Sequence, residues 1–128
     1  MKVSKKVEYG LRAMVCLARG KNKKALSIRE ISKKEGIPFE FLSKIFSDLE
    51  RAELVKSKHG ANGGYFLSRP AGKITTADVV AVLQDDLTVV HCAGCPNAGH
   101  CSSENMWDEV KQAISRTMGK TTLADLIK

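Results

Sequence analysis

Between Leu54 and Ser68 the chain reads as two strand-like runs, Leu54-Val55-Lys56-Ser57-Lys58-His59 and Tyr65-Phe66-Leu67-Ser68, divided by Gly60-Ala61-Asn62-Gly63-Gly64. Glycines supply the turn, so the two runs predict a β-hairpin with a basic first arm and a glycine-rich tip. What precedes the hairpin is helical. Ser27-Ile28-Arg29-Glu30 is a capping box that opens a short helix, and Gly36 ends it. Ile37-Pro38 begins a second helix, with Pro at or near a first helical position and Phe41, Leu42, Ile45, Phe46 and Leu49 as its apolar stripe. Two helices joined by a tight Gly-containing turn make a helix-turn-helix, whose second helix enters the major groove. Followed at once by a hairpin, it is the winged-helix plan.

The flanking segments fit around that unit. Upstream, Val7, Leu11, Met14, Val15 and Ala18 recur at helical spacing until Gly20, which predicts a first helix with one buried face. Cys16 within it reads as a small core residue. Downstream, Thr75 or Thr76 caps a helix holding Val79, Val80, Val82 and Leu83, with Asp85-Asp86 at its end. Ser102-Ser103-Glu104 starts a long helix whose stripe is Met106, Trp107, Val110, Ala113, Ile114 and Met118, and Thr122 to Ile127 forms a last capped turn or two. A chain of 128 residues has about one domain's worth of core, already used under the winged helix. The long helix is therefore expected to pack against a second copy in a two-fold homodimer.

Charge points to a polyanion. Residues 1–60 carry 15 Lys/Arg against 7 Asp/Glu, whereas residues 61–128 carry 6 against 7, so the net +7 is made of +8 in the helix-turn-helix half and −1 in the rest. The exposed face of the second helix is expected to be Glu40, Ser43, Lys44, Ser47 and Arg51, hydroxyls and long side chains able to touch base edges and phosphates. The same letters also suit an ordinary solvated face. In the wing, Lys56, Ser57, Lys58, His59, Gly60, Asn62, Gly63, Gly64 and Tyr65 are the candidates for backbone and minor-groove contact. No apolar run reaches the ~18 residues needed to cross a membrane, and Met1–Lys6 leads into an amphipathic pattern without a secretory signal. A soluble cytoplasmic protein is expected.

Ordinary folding does not account for His91-Cys92-Ala93-Gly94-Cys95-Pro96-Asn97-Ala98-Gly99-His100-Cys101. Two residues separate the first pair of cysteines and five the second, with Gly and Pro between, as in loops that turn sulfurs inward around a metal. A disulfide wants an oxidising compartment, and a redox CxxC wants a strand before it. That leaves structural zinc, with His91 or His100 completing the set, or an iron-sulfur cluster, and spacing alone does not choose. Glu8, in the first turn of the first helix, favours the helix dipole and is also a possible ligand.

Together these stretches resemble the iron-sulfur cluster regulator (IscR) and nitric-oxide sensor (NsrR) family of bacterial winged-helix transcription regulators. The resemblance runs nearly end to end. It rests on Val7-Glu8-Tyr9-Gly10-Leu11-Arg12-Ala13, on Ile37-Pro38 with Phe41-Leu42-Ser43-Lys44-Ile45-Phe46 and Leu49, on Leu54 through Tyr65, and on the triple cysteine before the long helix. It implies a homodimer with crossed C-terminal helices, and an iron-sulfur cluster, [2Fe-2S] favoured over [4Fe-4S], on Cys92, Cys95 and Cys101. Cluster state would then set affinity for a double-stranded DNA operator, with repression of cluster-assembly genes.

The sequence departs from the family in three places. The first cysteine gap is two residues where the cluster-assembly regulators usually have five. The fourth-ligand position, three after the last Cys, is Glu104 instead of His, with His100 or a second copy's Glu8 as alternatives. His59 replaces the wing Arg, giving up a permanent charge and a fixed fork of donors.

The expected class is thus mainly α with a small β-hairpin wing, a winged helix-turn-helix with a long C-terminal dimerisation helix. Residues 1–74 form the DNA-binding part, and residues 75–128 the cluster-binding loop and dimerisation helix. The alternative is a zinc-stabilised winged-helix module binding DNA or protein without sensing. An enzyme is not expected, because no phosphate loop or nucleophile-base arrangement stands out.

Overall fold

The computed structural model describes residues 3–20, 24–84 and 95–127. Among them run α1 (Lys5–Ala18), α2 (Ile28–Glu35), α3 (Phe39–Arg51), β1 (Val55–Lys58), β2 (Gly64–Leu67), a single 3-10 turn at Ala71–Lys73, α4 (Thr76–Leu83), α5 (Glu104–Lys120) and α6 (Leu123–Leu126). The fold is mainly helical with a two-stranded wing, as the capping and turn residues imply. No helix among the described residues is long and apolar enough to cross a membrane.

Ser4 starts α1, its hydroxyl accepting the Val7 N–H at 3.3 Å. The helix buries Val7, Gly10, Ala13, Met14, Cys16 and Leu17. Leu11, Val15 and Ala18, expected in the stripe, are only half-buried. Gly10 accounts for the rotation: a Cβ there would lie 2.0 Å from Leu83 Cδ1, so α4 crosses α1 directly over the glycine.

The helix-turn-helix forms for local reasons. Ser27 Oγ accepts the Glu30 N–H at 3.1 Å and the Glu30 carboxylate accepts the Ser27 N–H at 3.3 Å, the reciprocal box read from sequence. Gly36 takes the left-handed conformation at φ 66°, which ends α2 and turns the chain through buried Ile37. Pro38 is the N-cap of α3, just outside the helix. Leu42, Ile45, Phe46 and Leu49 are fully buried, each worth about 1.5–3 kcal/mol in apolar transfer. Phe41 departs from the expected stripe. It is 38% exposed, because the 3.6-residue repeat puts it on the flank of α3, edge-on to Tyr9 with ring centres 5.3 Å apart.

In the wing, Val55 pairs with Leu67 and Lys58 with Gly64, antiparallel. Tyr65 also exchanges backbone hydrogen bonds with Leu26, 2.8 and 2.9 Å, which ties the hairpin to the segment before α2. Thr75 caps α4 through a reciprocal pair with Asp78, and Thr122 caps α6 in the same way with Asp125. The end of the chain returns to the core: Leu123 is fully buried, its N–H bonds Ile74 O at 2.9 Å, and Thr76 N–H bonds Thr121 O at 2.8 Å. α5 behaves differently, since none of its residues is buried.

Candidate functional site

The candidate recognition surface begins with the side of α3 opposite its buried stripe. Glu40, Ser43, Lys44, Ser47 and Arg51 are all exposed there, as expected from their spacing. The helix is held against α1 by Lys6, whose Nζ lies 2.6 Å from Asp48 Oδ2. That hydrogen bond lowers the Asp48 carboxyl below the ordinary carboxylate range.

The wing divides into two kinds of residue. Lys56, Ser57, Lys58, His59, Gly60 and Asn62 are exposed. Gly60 has φ +108° and open space where a Cβ would point, so the backbone at the tip is free to approach a flat or concave partner. Gly63, Gly64 and Tyr65 are half-buried and also pack against the rest of the chain. A Cβ on Gly64 would lie 2.3 Å from the Leu26 carbonyl carbon and oxygen, and one on Gly63 would lie 2.3 Å from Lys58 O. The Tyr65 ring stacks on Phe46 with centres 4.8 Å apart, which fixes the wing to the buried side of the recognition helix. Burial raises the Tyr65 phenol above its ordinary value.

The exposed set read from sequence omits Phe39. It is 45% exposed at the first position of α3, with the Arg29 guanidinium 5.7 Å from its ring centre. A signal was available in the letters: Phe39 lies four residues before Ser43, and so on the flank of α3 that carries exposed Ser43.

Of the expected metal ligands, Cys92 and His91 lie outside the described residues. From Cys95 onward the loop is a succession of turns, with Ala98 N–H bonded to Cys95 O at 3.0 Å, His100 N–H to Asn97 O at 2.9 Å and Glu104 N–H to Cys101 O at 3.2 Å. Cys95 is half-buried, while Cys101 and His100 are exposed. The Cys101 sulfur lies 3.1 Å from Ser103 Oγ, and this hydrogen bond holds the thiol below its ordinary pKa. Glu104 folds back so that its carboxylate accepts the Gly99 N–H at 3.2 Å. Among the described residues, no three His, Cys, Asp or Glu side chains converge as a metal set. Glu8 stands apart, exposed on α1 and 3.3 Å from Lys5.

Cys16 shows the opposite chemistry. It is buried in the core cluster, and desolvation raises its thiol. The expectation that it is a packing residue agrees with this placement. Cys101 has the surroundings of a thiolate donor and Cys16 those of a small apolar side chain.

Three comparisons bear on this arrangement. The Rrf2 family model, described as iron-dependent transcriptional regulator, matches residues 3–128. The HTH-type transcriptional regulator IscR of Xenorhabdus nematophila is 29% identical over 131 residues, covering 100% of this chain and 80% of the relative. Among solved structures, IscR of T. potens superposes with a TM-score of 0.83 at 31% identity, over 99% of this chain and 86% of that one. CymR, the global cysteine regulator of B. subtilis, gives a TM-score of 0.87 at 29% identity, over 99% and 96%.

Proposed function

This chain belongs to the Rrf2 family of transcriptional regulators, and from that premise we propose that it is a cytoplasmic homodimeric repressor whose affinity for a DNA operator is set by an iron-sulfur cluster. The family consists of regulators and not enzymes. The observation that carries the cluster reading is the contrast between cysteines in one chain: Cys101 is exposed with a thiol that its Ser103 hydrogen bond favours as thiolate, in one loop of turns with half-buried Cys95, whereas Cys16 is buried in the core.

The donor chemistry fits such a group. Cys92, Cys95 and Cys101 would hold it, with Glu104 as the fourth donor by position; His100 and the Glu8 of a second copy are the alternatives. Three thiolates and one weaker donor suit either a [2Fe-2S] or a [4Fe-4S] cluster, and likeness to the cluster-assembly regulators favours [2Fe-2S]. When bound, the cluster supplies a redox- and iron-sensitive crosslink of the loop. The chain's own part follows from connectivity. The loop joins α4 to α5, and α4 packs on both α1 and the recognition helix, so a change in the loop has a mechanical route to α3.

On the DNA side, Lys44, Lys56 and Lys58 neutralise phosphates, Ser43 and Ser47 donate to base edges, and Glu40 accepts from a base amine. His59, Gly60 and Asn62 follow the backbone into the minor groove. Gly63, Gly64 and Tyr65 act indirectly, by holding the wing to the core.

The test is anaerobic purification, an absorption spectrum, and iron, sulfide and zinc analysis of one sample. Matching iron and sulfide with visible charge-transfer bands is the expected result. Replacement of Cys92, Cys95 or Cys101 by Ser should abolish those bands, and Cys16→Ser should leave them. A colourless protein with stoichiometric zinc overturns the sensor and leaves a zinc-stabilised winged helix. A metal-free protein points instead to a regulator answering another signal, the reading that the likeness to CymR favours.

A further inference from the structure

Phe39 is an unusual residue to leave in water. It opens α3, whose N-terminal residues are the ones a helix-turn-helix points at base edges. A ring that is 45% exposed there leaves much of its apolar area in solvent, although the core lies one helical flank away. It is not loosely held, because the Arg29 guanidinium sits over its ring at 5.7 Å, limiting where the exposed edge can point. Its neighbours on the accessible side of α3, Glu40 and Ser43, are exposed and polar. The patch is therefore an apolar spot continuous with a polar, cation-bearing surface.

Phe41, the other exposed ring of α3, is engaged edge-on with Tyr9, which also has Lys5 and Arg12 at 5.8 and 5.9 Å from its ring centre. Phe41 thus belongs to a cluster joining α3 to α1. Phe39 has an ion over one face and a free edge.

We propose that Phe39 is a base-reading residue whose edge packs on the 5-methyl group of a thymine in the major groove, with Arg29 as the positioning residue that fixes the ring. This rests on the reading of α3 as the DNA-recognition helix. Thymine is the base that matches, because its methyl is the one apolar group that the major groove presents, and Phe is among the side chains that contact it. Glu40 and Ser43 beside the ring account for why the partner is an edge mixing apolar and polar groups and not a uniformly apolar protein surface.

The full-length protein, with whatever metal it carries, is used to enrich duplexes from a random pool about two helical turns long. Each thymine of the enriched duplex is then replaced in turn by uracil, which deletes only the methyl. The wild type should lose about fourfold in affinity at one thymine, the worth of one buried methyl group. Phe39→Ala should bind the thymine and uracil duplexes equally at that position, and Phe39→Leu should keep part of the difference. Phe39→Ala should also keep the wild type's affinity for the uracil duplex, which a variant reduced to non-specific binding does not.

An enriched duplex at which wild type and Phe39→Ala respond alike to every uracil overturns the assignment of Phe39 and leaves α3 as the reading helix. Failure of the wild type to enrich any duplex overturns the DNA-recognition reading itself, and this proposal with it.

Discussion

Helices α3 and α5 are both amphipathic, yet the chain treats their apolar faces in opposite ways. The 13 residues of α3 bury Leu42, Ile45, Phe46 and Leu49 completely. The 17 residues of α5 bury none, leaving Trp107, Val110, Ile114 and Met118 half-exposed and Met106 46% exposed. The two share an origin in a helical repeat of apolar residues, but among the described residues α3 buries the centre of its stripe and α5 buries none of its own. A repeat specifies that a face will be covered, and it does not specify by what. The position of α3 is therefore set by packing among the described residues, whereas the stripe of α5 is left half-exposed by them.

Matched truncations would break or sharpen that contrast. Phe46→Ala removes a fully buried ring that also supports Tyr65, and should cost about 3–5 kcal/mol at every protein concentration. Ile114→Ala should cost below about 1 kcal/mol in dilute solution. If a second copy covers the stripe, the wild-type urea midpoint rises with protein concentration and Ile114→Ala flattens that rise. Equal losses, with no concentration dependence in either protein, would mean that α5 is as self-sufficient as α3.

The glycines give a second, smaller test of the same contrast. Gly64 has φ +146° and lies against the backbone of Leu26 and Ser27, where nothing flexible can give way. Gly64→Ala should therefore cost about 2–3 kcal/mol and free the wing from the core. Gly119, near the end of α5, has open space where a Cβ would point, with nothing within 4 Å. Gly119→Ala should instead stabilise slightly, by about 0.5 kcal/mol, through helix propensity. Thermal unfolding of the two variants reads both signs. Loss of stability in both would place a close neighbour over the end of α5.

What the letters made legible follows local rules. The capping boxes at Ser27 and Thr122, the left-handed Gly36 and the two wing strands each depend on a few adjacent residues, and each forms where its residues predict. Less legible were features set by contacts distant in sequence. The α1 stripe is rotated because Leu83 crosses Gly10, and the ring that Phe41 meets on the flank of α3 is Tyr9 of α1. Nothing adjacent in sequence announces that Gly64 packs on Leu26 and Tyr65 on Phe46. At the cysteine loop, ligand types could be read from sequence, whereas the Ser103 hydrogen bond that favours a thiolate at Cys101 depends on how the turn closes.

The smallest predicted effect concerns the ion pair that sets α3 on α1. Lys6 and Asp48 are 29% and 19% exposed in their side chains, and Arg51 stands 3.6 Å from the second Asp48 oxygen. The hydrogen bond from Lys6 lowers the folded-state pKa of Asp48 relative to the unfolded chain. A depressed carboxyl contributes stability that is fully present above the unfolded value, about 3.9, and is lost as pH falls through the folded one. Wild type should therefore exceed Asp48→Asn by under about 1 kcal/mol near neutral pH, with the difference closing in acid below pH ~4. Urea unfolding of both proteins from neutral pH into acid measures it. A difference that persisted unchanged into acid would assign the role of Asp48 to packing, and α3 would then be held to α1 by its apolar face alone.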